Sequence, residues 1–154
     1  MIIFVDFKAL YNSIKNDIDA AILEVLGSTT FILGDQLKNF EREFAGFCNA
    51  KYCSGLNTGT SALHLALLAI GIGKGDEVIT TPNTFFSTCE AISYTGAIPR
   101  FADIDKETYN ISAEKLENAI TQKTKAVIPV DLYGQPADMN EVLEVAEKHN
   151  LAVI

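Results

Sequence analysis

The sequence predicts an α/β protein built from consecutive strand and helix units of one layered structure. The clearest unit lies at residues 52–81, where a strand-like run, an apolar helical run and a second strand-like run follow one another. The alternation continues to the end of the chain, and no repeat, low-complexity stretch or flexible linker interrupts it. The predicted strands are 52–56, 77–81, 98–103, 126–131 and a last one that opens at 151–154.

Helices are expected before and between these strands. Apolar residues at helical spacing predict one helix over 17–27 and a second that begins near Asp35. The second helix carries an apolar stripe, which we interpret as core: Leu37, Phe40, Phe44 and Phe47. Helix 62–70 is apolar on nearly every side, which predicts burial against the sheet. Capping signals for three later helices are Ser87 with Glu90, Ser112, and Asp138 with Glu141.

The polar turn at 57–61 precedes the most apolar helix. A helix start leaves unpaired backbone N–H groups and the positive end of the helix dipole, which together attract a phosphate or a carboxylate. Gly59 lets the backbone approach a ligand closely, and Thr60 and Ser61 can add hydroxyl donors. Two interpretations stay open at this point: a phosphate site, or a simple cap by Thr58, Thr60 or Ser61.

The loop at 82–86 is expected beside that turn, because ligands in open α/β sheets lie outside the carboxyl ends of the strands. Phe85 or Phe86 could therefore cover a bound ring, and ordinary packing is the alternative for both. Asp103 and Asp105 are read as a strand-end turn. The only histidines, His64 and His149, both fall in predicted helices, which gives little support to a histidine-based triad or metal site.

Composition narrows the classes of partner. The formal charge of −8 argues against nucleic acid or an anionic membrane as the main partner. No apolar run approaches the roughly 20 residues needed to span a bilayer, and residues 1–5 lack the basic start of a signal peptide, so a cytoplasmic protein is expected. Cys48, Cys53 and Cys89 lack metal-site spacing and are read as reduced, mostly buried thiols.

A series of segments in a fixed order carries a family resemblance. They are Phe31-Ile32-Leu33-Gly34, 57–67, 71–79, 84–88, Tyr94-Thr95-Gly96-Ala97, Tyr109-Asn110-Ile111 and 132–139. Through them the chain resembles, nearly end to end, the DegT-type pyridoxal-phosphate-dependent nucleotide-sugar aminotransferases of aspartate aminotransferase fold type I. The resemblance implies the N-terminal part of that family's large domain, a three-layer α/β/α structure with a mostly parallel sheet. It divides the chain into an N-terminal helix and dimer-contact loop, 1–34, and the first part of the cofactor-binding domain, 35–154.

The resemblance also implies site residues. Gly59, Thr60 and Ser61 would hold the phosphate of pyridoxal 5'-phosphate, and Phe85 would stack on its ring, both in agreement with the local chemistry above. Two further residues, Asn57 and Tyr133, fall in segments near the family's pocket without an assigned role. The segment 31–34 resembles the contact region of a homodimer.

The implied reaction moves an amino group from glutamate to a keto sugar on a nucleotide diphosphate, in lipopolysaccharide or antibiotic sugar synthesis. The aspartate that pairs with the pyridine nitrogen and the Schiff-base lysine are expected beyond Ile154, so no catalytic residue is assigned within the chain. Asp131 stands where the family usually has histidine. The alternatives are a sugar dehydratase of the same family, a non-catalytic phosphate- or nucleotide-binding domain, and a truncated product without activity.

Overall fold

A computed structural model describes residues 5–154, which belong to two compact units, Met1–Gly55 and Leu56–Ile154. In the described part of the chain, no helix is both long and apolar enough to cross a membrane. The N-terminal start discussed above lies outside the described residues except for Val5. The division into 1–34 and 35–154 concerns the roles of these segments in a complete enzyme and stays a prediction.

The first unit contains two helices, α1 (Phe7–Ser28) and α2 (Asp35–Phe47). α1 begins well before the predicted start at residue 17, because Asp6 caps it. The Asp6 carboxylate accepts a hydrogen bond of 2.9 Å from the N–H of Ala9. α2 begins at Asp35, as predicted.

The phenylalanine stripe of α2 is not core, so that interpretation was wrong. Phe40 and Phe44 stack on each other with ring centroids 5.5 Å apart, yet both are about half exposed, and Phe47 is 87% exposed. Ala45 is the buried residue of this helix. Periodicity identifies the apolar face of a helix, but burial also needs a second surface that covers this face.

The second unit is a parallel sheet with helices on both faces. Its elements in chain order are α3 (Gly59–Ala69), β1 (Glu77–Thr80), α4 (Phe86–Tyr94), β2 (Ile98–Phe101), α5 (Ala113–Ala119), β3 (Thr124–Val127), a 3-10 turn (Leu132–Gly134), α6 (Met139–Lys148) and β4 (Ala152–Val153). The strand order is β2-β1-β3-β4, and every pairing is parallel. The predicted α/β class is confirmed.

Two apolar clusters on opposite faces of the sheet produce the three layers. Val78 and Ile79 are neighbours on β1, so their side chains point to opposite faces, and both are fully buried. Val78 lies in the cluster that includes residues of α3 and α4, whereas Ile79 lies in the cluster that includes residues of α5 and α6. The layers are therefore α3 with α4, the sheet, and α5 with α6.

The predicted strands at 77–81, 98–103 and 151–154 are present but shorter, and two other predictions differ more. No strand forms at 52–56, where the chain is irregular and has no strand partner among the described residues. β3 spans Thr124–Val127 rather than 126–131. Its early end has a chemical reason, since Pro129 has no N–H with which to continue the ladder.

α3 and the cysteines are less buried than the sequence predicted. Leu67 is the buried residue of α3, and Leu65 and Leu68 are about half exposed, because only one side of the helix faces the apolar cluster. Cys48 is exposed, and the other two cysteines are half-buried. All three are free thiols.

Two of the three predicted helix caps are confirmed. Ser112 caps α5 by accepting from the N–H of Lys115, and Asp138 caps α6 by accepting from the N–H of Glu141. The predicted cap at Ser87 was wrong: the N-cap residue of α4 is Phe85, two residues earlier, and it makes no side-chain cap.

One buried side chain, Asn110, joins the segments that follow β2 and β3. Asn110 is only 2% exposed. Its Nδ2 donates to the backbone oxygen of Gln135 at 2.7 Å, and its Oδ1 accepts from the N–H of Leu132 at 3.1 Å. A buried amide is tolerated when both of its ends are paired. Asn110 therefore holds the 3-10 turn against the segment that precedes α5.

On the surface, Glu117 of α5 contacts the end of α6. Its Oε1 accepts from Lys148 Nζ at 2.5 Å and lies 3.1 Å from Nε2 of His149. The hydrogen bond from Lys148, followed by that from His149, holds the pKa of Glu117 below its ordinary range. A carboxyl whose pKa is lowered by folding stabilises the protein when the pH is above its unfolded pKa. The stabilisation is lost as the pH falls through the lowered, folded value.

We expect Asn110→Ala to lower the free energy of unfolding by about 1–3 kcal/mol, because the N–H of Leu132 and the carbonyl of Gln135 lose their partner together. Urea denaturation followed by circular dichroism measures the change. Asn118→Ala is the control, because Asn118 is exposed within α5 and alanine has the higher helix propensity. An equal loss in both variants would contradict the role of Asn110.

A second prediction concerns acid. Glu117→Gln should lower the urea midpoint slightly at neutral pH, since exposed ion pairs contribute little. The difference from the wild type should vanish as the pH falls through the lowered pKa of Glu117. Glu147→Gln, which neutralises an exposed carboxylate of α6 that does not contact Glu117, is the control for the loss of one charge. A difference for Glu117→Gln that persists in acid would refute the assignment.

Candidate functional site

The turn at 57–61 forms an exposed helix start. α3 begins at Gly59, and the N-cap residue is Thr58, whose Oγ1 accepts from the N–H of Ser61 at 3.0 Å. The cap predicted at Thr58 is therefore present, but it uses only one of the unpaired groups at the helix start. The N–H groups of Gly59 and Thr60 have no acceptor among the described residues.

The hydroxyl groups of the turn are arranged to donate. Thr58 Oγ1 also donates to Ser61 Oγ at 3.1 Å, so the oxygen of Ser61 accepts and its hydrogen stays available for another acceptor. Thr60 carries another hydroxyl in the first turn of α3. Two backbone and two hydroxyl donors thus lie at the positive end of the α3 dipole, a donor set that fits a phosphate.

Nothing within the described chain requires a glycine at position 59. Gly59 does not have a positive φ, and a Cβ built there would meet no atom within 4 Å. Gly96 differs, because its φ of 85° favours glycine. The absence of a side chain at Gly59 therefore leaves open space in front of the helix start.

Phe85 lies at the start of the neighbouring helix. α3 packs against α4, and Gly73, after the end of α3, lies close to Thr95 at the end of α4. The two helices therefore run in the same direction, and both begin at the edge of the sheet where β1 ends. Phe85 is the N-cap residue of α4 and is 78% exposed. Its ring is available to a ligand at this edge, as is that of its exposed neighbour Phe86.

The strand order places a crevice at the same edge. From β1 the chain crosses to β2 on one side, and it then returns to β3 on the other side of β1. α4 and α5, the helices of these two crossovers, lie on opposite faces of the sheet. The segment that leaves β1 leads to α4, and the segment that leaves β3 leads to α6 on the opposite face of the sheet, so the two segments diverge. Such a reversal point is where open α/β sheets bind ligands.

A cavity of about 670 Å³ lies at this edge, and we call it the carboxyl-edge cavity. Its volume is in the range of small-molecule sites. Three segments that are distant in sequence surround it, and they follow β1, β2 and β3. It is lined by Asn83, Glu107, Thr108, Tyr109, Leu132, Tyr133 and Gln135.

The structure separates the two pocket residues that the sequence suggested. Tyr133 lines the carboxyl-edge cavity, whereas Asn57 is exposed in the turn before α3 and does not line it. Sequence reasoning assigned no role to Tyr109, which shares the cavity, or to Asn110, which joins its walls. The segment Tyr109-Asn110-Ile111 was part of the family resemblance, and this was the one available signal.

The other polar residues that the sequence singled out contact neighbouring parts of the protein. Asp131 Oδ1 accepts from the N–H of Ala137 at 2.9 Å and so closes the loop after β3. Asp105 forms the predicted turn, and hydrogen bonds from the N–H groups of Thr108 and then Glu107 hold its pKa below the ordinary range. The His64 ring contacts the ring of Tyr94. Across residues 5–154, no group of three His, Cys, Asp or Glu side chains could hold a metal ion.

Comparison with known proteins gives relatives along the whole chain. The chain is 45% identical over 154 residues to UDP-2-acetamido-2-deoxy-3-oxo-D-glucuronate aminotransferase of Pseudomonas aeruginosa, and these residues cover 43% of that protein. It is 42% identical over 151 residues to dTDP-3-amino-3,4,6-trideoxy-alpha-D-glucose transaminase of Streptomyces venezuelae, covering 98% of this chain and 40% of the relative. The chain thus spans about two fifths of the length of these relatives.

Solved structures have the same fold. DesV of S. venezuelae, solved in complex with a ketimine intermediate, matches 99% of this chain and 41% of its own with a TM-score of 0.94 and 41% identity. NtdA of Bacillus subtilis, solved with bound cofactor PMP, matches 92% of this chain and 33% of its own with a TM-score of 0.87 and 36% identity.

The model of one family matches residues 12–154, which is most of the chain. The two relatives described above are likewise an aminotransferase and a transaminase. The chain belongs to the DegT/DnrJ/EryC1/StrS aminotransferase family.

Proposed function

We propose that the complete protein is a pyridoxal-phosphate-dependent aminotransferase that moves an amino group from glutamate to the keto carbon of a nucleotide-linked sugar. The observation that carries the proposal is the exposed start of α3, where Gly59 leaves open space before a set of phosphate donors. Family membership and the names of the relatives, which are sugar aminotransferases, support the reaction class.

The phosphate of the cofactor would lie at the start of α3. The N–H groups of Gly59 and Thr60 would donate to it, together with the hydroxyls of Thr60 and Ser61. Hydrogen bonds to a charged acceptor are stronger than neutral ones. These local donors matter because the chain as a whole carries a formal charge of −8, which would otherwise repel an anion.

The ring of the cofactor would lie against Phe85. An aromatic stack contributes about 0.5–1.5 kcal/mol beyond burial, which orients a ring but does not replace the phosphate contacts. Pyridoxal phosphate supplies the electron sink that lets an amino group move between carbon atoms. Asn57, beside the phosphate donors, and Tyr133, in the carboxyl-edge cavity, are proposed as pocket residues.

We also propose that the enzyme is a cytoplasmic homodimer. The apolar segment Phe31-Ile32-Leu33 is largely exposed, and Leu33 has a φ of 51°, a conformation that is rare for leucine. An exposed run of this kind suits a surface that a second subunit covers. The free state of all three cysteines fits a reducing compartment.

The reaction itself is testable on the full-length protein. With pyridoxal phosphate, glutamate and a nucleotide-linked 3-keto sugar, we expect 2-oxoglutarate and the amino sugar in equal amounts, measured by a coupled dehydrogenase assay and mass spectrometry. Release of a dehydrated sugar without transfer of the amino group would contradict the proposal and favour a dehydratase.

Gly59→Ala tests whether Gly59 belongs to a phosphate site or affects only the stability of the helix. We expect the dissociation constant of pyridoxal phosphate to rise about tenfold or more, because the new methyl group lies where the phosphate approaches and weakens a charged hydrogen bond. The free energy of unfolding should be unchanged or up to about 1 kcal/mol higher, because alanine is the better helix former. Absorbance titration and urea denaturation measure the two quantities.

Gly46→Ala is the matched control, because Gly46 lies in α2 and a Cβ there also meets no atom within 4 Å. This control should show the change in stability without any change in cofactor affinity. Unaltered cofactor affinity in Gly59→Ala would exclude the phosphate site.

Phe85→Leu tests the ring position. Losing the aromatic stack should weaken cofactor binding by roughly two- to tenfold. Phe86→Leu, a change of the adjacent exposed phenylalanine, should leave it unchanged. Fluorescence titration of the cofactor compares the two variants. Weaker binding in Phe86→Leu alone would move the assignment to Phe86.

A further inference from the structure

The carboxyl-edge cavity has two tyrosines in its lining, and they come from different segments of the chain. Tyr109 precedes the buried Asn110 after β2, and Tyr133 is the middle residue of the 3-10 turn after β3. Tyr109 is 58% exposed, and Tyr133 is 99% exposed. The side chain of Tyr133 therefore contributes almost nothing to the packing of this unit, and its ring is free to contact a ligand.

Both tyrosines have a backbone conformation that is rare for their residue type. Their φ angles are 61° for Tyr109 and 53° for Tyr133, in the left-handed region. Such residues persist only where surrounding contacts determine them, and they concentrate at ligand sites. Here the N–H of Tyr109 donates to the backbone oxygen of Asp105 at 3.0 Å, and Asn110 holds the residues on both sides of Tyr133. The two tyrosines are thus kept beside one cavity.

The charge of the lining limits which ligand group fits. Among the described residues that line the cavity, none is cationic, and Glu107 contributes a carboxylate. A diphosphate would meet repulsion there and none of the cations that anions require. The remaining groups are aromatic faces, amides and hydroxyls, which suit an uncharged planar ring with hydrogen-bonding edges. The donors at the start of α3 have the opposite preference and suit an anion.

We propose that the carboxyl-edge cavity binds the nucleobase of the nucleotide-linked substrate, with the base stacked on Tyr109 or Tyr133. This inference rests on the proposed function and adds a site for one part of its substrate. The two relatives described above act on sugars with different nucleotides, UDP and dTDP. Stacking on an aromatic side chain tolerates a change of base, because every base has an aromatic face.

The test measures binding of UDP and dTDP to the full-length protein by calorimetry, with pyrophosphate as the probe that lacks a base. We expect the leucine variant of the tyrosine that stacks on the base, Tyr109→Leu or Tyr133→Leu, to raise the dissociation constants of UDP and dTDP about tenfold and to leave that of pyrophosphate unchanged. Tyr109→Phe and Tyr133→Phe keep the ring and should stay within about threefold of the wild type. Tyr52→Leu replaces an exposed tyrosine outside the cavity and is the control.

Several results of these binding measurements would exclude the nucleobase site. Nucleotide affinities that are unchanged in both leucine variants, or equally reduced in Tyr52→Leu, would overturn the inference. So would a wild-type protein that binds pyrophosphate as tightly as UDP, because the base would then contribute nothing. Cofactor loading and release of 2-oxoglutarate, measured on the same wild-type preparation, report on the proposed function separately. A protein that transfers amino groups but does not depend on the two tyrosines refutes only the nucleobase site.

Discussion

The position of β1 between β2 and β3 is the constraint on which the rest of the second unit depends. β1 lies inside the sheet and helices cover both of its faces, so Val78 and Ile79 are both buried and each belongs to one apolar cluster. The same arrangement sends the chain first to one side of β1 and then to the other. All parallel strands end at one edge, so the reversal of direction there opens a crevice between diverging loops. The turn before α3, the ring of Phe85 and the carboxyl-edge cavity all lie at this edge.

Capping and anion binding at the start of α3 are compatible, although they are alternatives when considered one residue at a time. Thr58 satisfies the N–H of Ser61, and this fixes the first turn of the helix. The same bond geometry leaves the N–H groups of Gly59 and Thr60 unpaired and turns the Ser61 hydroxyl into a donor. A helix start that is rigid before a ligand arrives loses little conformational entropy on binding it. The cap is therefore part of what makes the turn suitable for a phosphate.

The carboxyl-edge cavity shows how a buried polar group can shape an exposed site. Asn110 is almost completely buried, yet its amide connects the segments that carry Tyr109 and Tyr133. The cost of an unpaired buried amide keeps this connection in place. Two backbone conformations that are unfavourable for tyrosine are stabilised as a result. The buried Asn110 thus determines where the exposed rings of Tyr109 and Tyr133 lie.

The sequence by itself determined the features whose causes lie within a few residues: the α/β alternation, the caps at Ser112 and Asp138, and the glycine turn before α3. It could not determine burial, because the stripe of Phe40, Phe44 and Phe47 marks a face without saying what covers it. Only the tertiary structure decided the second part of the site. Asn110 lies 22 residues from Leu132 and 25 from Gln135 along the chain, and the sheet order brings them together. No local pattern encodes a contact of that span, since it depends on which strands pair and in what order.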